Sequence, residues 1–160
     1  MSKTNAARIL DKQGMKYELV EYEVDESDLS AISVSSKLGQ NIDQIFKTLV
    51  LRGDKTGICV CIIPGGEELD LKKAAHLSGN KNVAMVPVKE ILGLTGYIRG
   101  GCSPLGMKKK YPTYIDESCL LHDFIFVSAG MRGLQLKIAP PDLIKSASCI
   151  VADLVSVLKH

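Results

Sequence analysis

The runs Phe46-Lys47-Thr48-Leu49-Val50-Leu51-Arg52 and Ile58-Cys59-Val60-Cys61-Ile62-Ile63-Pro64, separated by Gly53-Asp54-Lys55-Thr56-Gly57, decide the fold. Each run has strand length and is almost wholly apolar, and the connection is short, polar and flanked by glycine. That combination predicts an antiparallel hairpin at the centre of a sheet. Lys47 is the exception inside it. A lysine between Phe46 and Thr48 either snorkels to the rim of the sheet or faces a pocket where it meets an anion, and desolvation with a partner would then shift its properties.

Working outward, Ala6, Ile9, Leu10 and Gln13 recur at helical spacing over Asn5 to Gly14, with Thr4 or Asn5 as the cap and Gly14 as the stop. Lys16 to Tyr22 alternates as a strand. Ser27 to Leu38 reads as a second helix before Gly39, and Asn41 caps a brief third one through Ile45. Beyond the hairpin, Glu67 to Leu69 predicts a short strand and Asp70 caps a helix from Leu71 to Ser78 that ends at Gly79. Val83 to Val86 predicts a strand, Val88 to Leu92 a short helix, and Thr113 to Ile115 and Phe124 to Ser128 further strands. Residues 129–133 read as a turn before a returning strand from Leu134 to Ile138. Pro140 and Pro141 precede a helix from Asp142 to Ala147, where proline is tolerated in the first turn, and the tail to Leu158 reads as helical. Strands joined by both hairpins and helices argue for an α+β single domain with a mixed, strongly curved sheet. No repeat or linker interrupts it.

Thr95-Gly96-Tyr97-Ile98-Arg99-Gly100-Gly101-Cys102-Ser103-Pro104-Leu105-Gly106 holds four of the chain's fourteen glycines. Tyr97 to Arg99 read as the end of a strand. Gly100 and Gly101 then free two successive amides from steric cover, which makes either a small anion- or carbonyl-binding concavity or a tight turn without a ligand. Gly101 and Gly106 bracket four residues as in a Walker loop, but Met107 stands where that motif needs lysine and Lys108 falls one position late. A dinucleotide fingerprint and a Gly-x-Ser-x-Gly elbow are likewise absent from the sequence.

The chain's 160 residues fit one domain with a real core, and a net charge of +2 is too mild to mark a nucleic-acid binder by electrostatics alone. DNA is not an expected partner. The N-terminal residues show no signal peptide, no run reaches the length of a membrane span, and five scattered cysteines suit a reducing compartment. The expectation is a cytoplasmic protein. Cys59 and Cys61 point to one face of a strand without a second ligand pair, and His76, His122 and His160 are isolated, so neither a metal nor any other cofactor is expected. Ser128, closing a strand before Ala129-Gly130, either presents a hydroxyl to a ligand or bonds its own backbone. Tyr22 reads as a rim aromatic. Lys108, Lys109 and Lys110 form a solvated turn or, beside a backbone anion site, hold an RNA phosphate.

Phe-Lys-Thr-Leu-Val at 46–50, Leu-Asp-Leu-Lys-Lys at 69–73, Thr-Gly-Tyr at 95–97, Gly-Gly-Cys-Ser-Pro-Leu-Gly at 100–106 and Val-Ser-Ala-Gly-Met-Arg-Gly-Leu at 127–134 together resemble the YbaK/EbsC family. These are free-standing Cys-tRNA(Pro) deacylases, similar to the editing domain inserted in bacterial prolyl-tRNA synthetases. The resemblance covers residues 1–160 almost throughout. It implies a sheet closing toward a barrel, with Lys47 as the key pocket lysine, Gly100 and Gly101 as the backbone wall, and Ser128 as a polar contact. Tyr22 and Thr48 would make lesser contacts. Two departures bear on amino-acid preference: Gln135 stands where members with cysteine specificity tend to carry an acid, and Val24 where they tend to carry histidine.

The activity so implied is trans-editing hydrolysis of mischarged tRNA(Pro), with the substrate's own thiol attacking its ester. Cyclisation of that thiol would make the step lyase-like. The implied partners are the acceptor end of tRNA(Pro) and, transiently, prolyl-tRNA synthetase. The alternative from another class is a non-catalytic tRNA- or synthetase-binding module of the same fold, kept open by Gln135.

Overall fold

The computed structural model describes residues 3–156. The elements run α1 (Asn5–Lys12), β1 (Glu18–Glu21), α2 (Ala31–Leu38), β2 (Phe46–Gly53), β3 (Gly57–Pro64), α3 (Leu71–Ser78), β4 (Val83–Met85) and α4 (Val88–Thr95), followed by β5 (Thr113–Asp116), β6 (Ile125–Met131), β7 (Leu134–Ile138), α5 (Pro140–Ser146) and β8 (Ile150–Ala152). Short 3-10 turns occupy Ile42–Gln44 and Glu117–Leu121.

The expected antiparallel hairpin is present, and its register runs from Phe46 opposite Pro64 to Gly53 opposite Gly57. It is the middle of a five-stranded sheet ordered β4-β2-β3-β5-β8, while β1, β7 and β6 form a separate three-stranded sheet. The β3–β5 and β5–β8 pairs are parallel and the remaining ladders antiparallel. The barrel-like, strongly curved single sheet expected from the sequence is therefore corrected to two open sheets. One isolated parallel bridge, Ile45 to Phe126, links them, because β2 gives its long edge to β3 and only its far end to β4.

Apolar residues on both sides of β2 and β3 explain the unbroken hydrophobic runs. One face, with Phe46, Val60 and Ile62, packs against Ile125, Val127, Leu134 and Leu136 of the small sheet and against Ala6 and Leu10 of α1. The other, with Leu51, Cys59, Cys61 and Ile63, packs under Ala74 and Ala75 of α3. The helix ends follow their local chemistry. Thr4, Ser30 and Asp70 side chains accept backbone N–H groups at the starts of α1, α2 and α3, and Gly39 and Gly79 close α2 and α3 in the left-handed conformation.

Other expectations change. The helix expected from Ser27 begins at Ala31, since Asp25 and Asp28 first form side-chain turns with the N–H groups of Ser27 and Ser30. Glu67 to Leu69 contributes only a bridge from Leu69 to Val155. Tyr97 to Arg99 do not end a strand, because α4 runs on to Thr95 and Gly96, at φ 84°, reverses the chain. Residues 129–131 stay in β6 across a bulge, leaving Arg132 and Gly133 as the turn. The tail is not helical where it is described: β8 pairs with β5, and the Asp116 carboxylate accepts the Leu154 N–H at 2.9 Å. The expected helix at Leu158, like His160, lies outside the described residues. No helix among the described residues is long and apolar enough to cross a membrane.

Candidate functional site

A cleft of about 360 Å³ opens where the two sheets meet, between the start of β2, the first turn of α2 and the glycine-rich loop. It brings together five of the residues singled out in the sequence: Lys47 and Thr48 on β2, Gly100 on the loop, Ser128 on β6 and Gln135 on β7. Ser128 and Gln135 are direct neighbours across the β6–β7 ladder, so their meeting follows from register.

Lys47 donates from Nζ to the Gly65 carbonyl oxygen at 3.2 Å. Partial burial pushes its ammonium below the ordinary lysine value, and Glu68 and Glu67 act against that shift. The lysine thus has one protein acceptor and unused donors facing a cleft. Two further polar atoms there are stranded: Thr48 Oγ1 and Gln135 Oε1 are buried without a hydrogen-bond partner. Gln135 is only 5% exposed. Orphaned buried polar groups are uncommon and costly, and a ligand that supplies partners relieves them.

The loop wall differs from its sequence reading in one respect. The Gly101 N–H is not free, since it donates to the Ile98 carbonyl at 2.9 Å. With Gly100 at φ 84°, this is the pattern of a type II turn, which demands a positive φ at its third residue. Gly101 lies behind the wall: a Cβ there would meet Met131 Cα at 3.0 Å. Of the two amides, only that of Gly100 has no hydrogen bond among the described residues. Ser128 lines the cleft, and its Oγ accepts the Gly130 N–H at 3.2 Å across the bulge, as the backbone-bonding reading expects. Tyr22 does not reach the cleft and packs with Val34, Ile45 and Phe126. Val24 lies against the Gly133 turn.

The loop is fixed from two sides. The Tyr97 ring is buried between Gly106 and Gly130, each of which leaves no room for a Cβ beside it, and its hydroxyl donates to the Leu105 carbonyl. Burial pushes that phenol up to about 12, so it stays neutral. Arg132 donates from Nε to the Arg99 carbonyl at 2.8 Å and pairs with Glu26 at 2.6 Å. Sequence reasoning missed two residues that the cleft exposes, Arg99 and Cys102. Cys102, inside the Gly-Gly-Cys-Ser motif, was legible as a neighbour of the wall. Burial pushes its thiol up to about 11, which leaves it protonated and a poor nucleophile at neutral pH. Among the described residues no group of three or more His, Cys, Asp or Glu side chains could hold a metal ion.

The aminoacyl-tRNA editing domain family model matches residues 26–146 of the chain. The chain is 51% identical over 138 residues to an Enterococcus faecalis protein provisionally named Cys-tRNA(Pro)/Cys-tRNA(Cys) deacylase EbsC, covering 86% of this chain and 84% of that one. It is also similar, at 35% identity over 79 residues, to the proline–tRNA ligase of Shouchella clausii, covering 49% of this chain and 14% of the ligase. A crystal structure provisionally described as a trans-editing enzyme for prolyl tRNA synthetase superposes with a TM-score of 0.83 at 28% identity, covering 98% of this chain and all of that one.

Proposed function

The chain belongs to the aminoacyl-tRNA editing domain family, and on that footing we propose that it is a trans-editing hydrolase that deacylates mischarged tRNA(Pro), above all Cys-tRNA(Pro). Residues 1–160 act as one editing domain. The need for such an enzyme is physical. A proline-sized synthetase site discriminates against small apolar differences by only about 10 to 200-fold, so a second site must hydrolyse the error.

In the cleft the ester carbonyl sits between Lys47 and Gly100. The Gly100 N–H and the Lys47 ammonium stabilise charge developing on the carbonyl oxygen. Thr48, Ser128 and Gln135 orient the amino-acid end, with the stranded Thr48 and Gln135 atoms gaining partners from the substrate. Gly101 supports the wall from behind, and Tyr22 packs beneath α2. The attacking group is the substrate's thiol. Its sulfur bonds to the carbonyl carbon, the bond to the ribose oxygen breaks, and the thiol proton ends on that oxygen; water then opens the thiolactone to free cysteine.

One observation carries this reading. The cleft offers a partly desolvated ammonium and two unpartnered polar atoms to a polar ligand, yet its own thiol, Cys102, is held protonated at about 11. The protein binds and orients without supplying a nucleophile. Encounter with prolyl-tRNA synthetase is transient, in the cytoplasm, and raises the affinity that a net charge of +2 leaves weak.

Single-turnover deacylation of Cys-, Ser- and Ala-tRNA(Pro) at saturating enzyme tests the chemistry, because binding differences then drop out. Cysteine should react far faster, since a thiol is a few per cent ionised at pH 7 and a hydroxyl is not. Cys102→Ser should retain the rate. Equal rates for the three substrates would refute thiol attack, and an inactive, folded Cys102→Ser would restore a protein nucleophile.

A further inference from the structure

A second hollow, of about 230 Å³, lies further along the same glycine-rich loop, between residues 104–111 and the end of α5. Lys109, Lys110, Tyr111 and Ser146 are among its lining residues. Four observations bear on what it takes. First, among the described residues no ion pair includes Lys108, Lys109 or Lys110, and Lys110 Nζ donates only to Ser148 Oγ, at 3.0 Å. Positive charge here is uncompensated by protein. Second, Ser146 Oγ is buried without a partner, a hydroxyl donor awaiting an acceptor.

Third, three carbonyls in the last turn of α5, which would repel an anion, are already occupied: Leu143, Ile144 and Lys145 accept from Ala147, Cys149 and Ser148. Fourth, the Tyr111 hydroxyl donates to the Leu94 carbonyl at 2.8 Å, which holds the ring in place as part of the wall. A cationic groove beside a fixed aromatic ring is the arrangement that holds single-stranded nucleic acid, charge on the backbone and ring against a base. The hollow is also close to the first cleft. Cys102 lines one and Pro104 the other, and two residues of chain span at most about 7 Å.

We propose that this hollow is a second RNA subsite, which takes a nucleotide upstream of the aminoacylated terminal adenosine. Lys109 and Lys110 contact its phosphodiester, the Ser146 hydroxyl donates to a phosphate oxygen, and the base rests on Tyr111. The proposal builds on the deacylase reading of the first cleft, since that reading fixes which end of the RNA arrives there.

The test compares the full chain with a Lys109→Ala/Lys110→Ala variant in two assays. In the first, an uncharged acceptor minihelix of tRNA(Pro) is titrated across salt concentrations. The variant should bind roughly tenfold more weakly, with a log–log salt slope shallower by about 1.4, the value for two phosphate contacts on a single strand. In the second, cysteinyl-adenosine, which has no upstream phosphate, should be hydrolysed at the same rate by both proteins. Equal affinity and slope for the minihelix would overturn the subsite, as would a parallel loss on cysteinyl-adenosine, which would place the lysines' effect in the first cleft. If neither protein hydrolyses cysteinyl-adenosine or Cys-tRNA(Pro) while the minihelix difference stands, the deacylase reading falls and the RNA subsite remains.

Discussion

The two walls of the cleft are built differently. Lys47, Thr48, Ser128 and Gln135 stand on strands whose positions are set by backbone ladders, whereas Arg99, Gly100 and Cys102 stand on a loop held by one turn, one buried tyrosine and one arginine. The strand wall offers side chains and the loop wall offers backbone. The first fails when an atom is removed, the second when an atom is added.

The largest expected effect is on the strand wall. Lys47→Ala should lower kcat/KM by about 10²-fold or more while leaving the circular dichroism spectrum unchanged, because the side chain is only half-buried. Full activity in the folded variant would remove Lys47 from the site. Its depressed ammonium value gives the pH dependence. Activity should fall as pH rises through a value below 10.5, when the charge is lost. The folded state releases this proton before the unfolded chain does, so in that window the unfolded state binds more protons and stability rises with pH. Urea denaturation of wild type against Lys47→Ala, followed through the alkaline range, reads that sign.

On the loop wall, Gly101→Val drives a side chain into the Met131 and Arg132 backbone, which cannot rotate away. A loss of about 1–3 kcal/mol in denaturant midpoint analysis is expected, with roughly tenfold lower turnover as Gly100 shifts. An unaffected variant would mean that the loop is not pressed against β6. Smaller still is Gln135→Leu. Removing a stranded buried carbonyl should leave thermal stability unchanged or raise it by about 1 kcal/mol, while KM for Cys-tRNA(Pro) rises several-fold. A destabilised variant would show that the amide has a protein partner. The smallest effect is Glu26→Gln, since Glu26 is 69% exposed and its pair with Arg132 contributes under about 1 kcal/mol. Kinetics should change by less than about twofold.

The same contrast governs what the sequence discloses. The strand wall was legible because apolar runs, their length and their glycine-flanked loop are local signals, so the hairpin and the oddity of Lys47 could be read directly. The loop wall was legible only as a concentration of glycines. That Gly101 spends its amide on Ile98 is a matter of turn type, and that Gly106 and Gly130 make room for Tyr97 is a tertiary contact; neither has a periodicity to reveal it. The single curved sheet failed for a related reason. Local pattern identifies strands but not which edges remain unpaired, and β8 was misread because its three residues pair in parallel with a distant strand. Arg99 and Cys102 entered the site through the turn's geometry, which spacing does not encode.

The ladder between β1 and β7 bears on the order of events as the chain leaves the ribosome. The β2–β3 hairpin can form within microseconds from neighbouring residues, but Glu18 must wait for Lys137, across nearly the whole described chain. Until then β1 has no partner, and Lys47 overlooks a floor, the β6–β7 hairpin with Ser128 and Gln135, that has not arrived. A partly synthesised copy therefore lacks the finished cleft. The proofreader becomes competent only after its own translation is nearly complete.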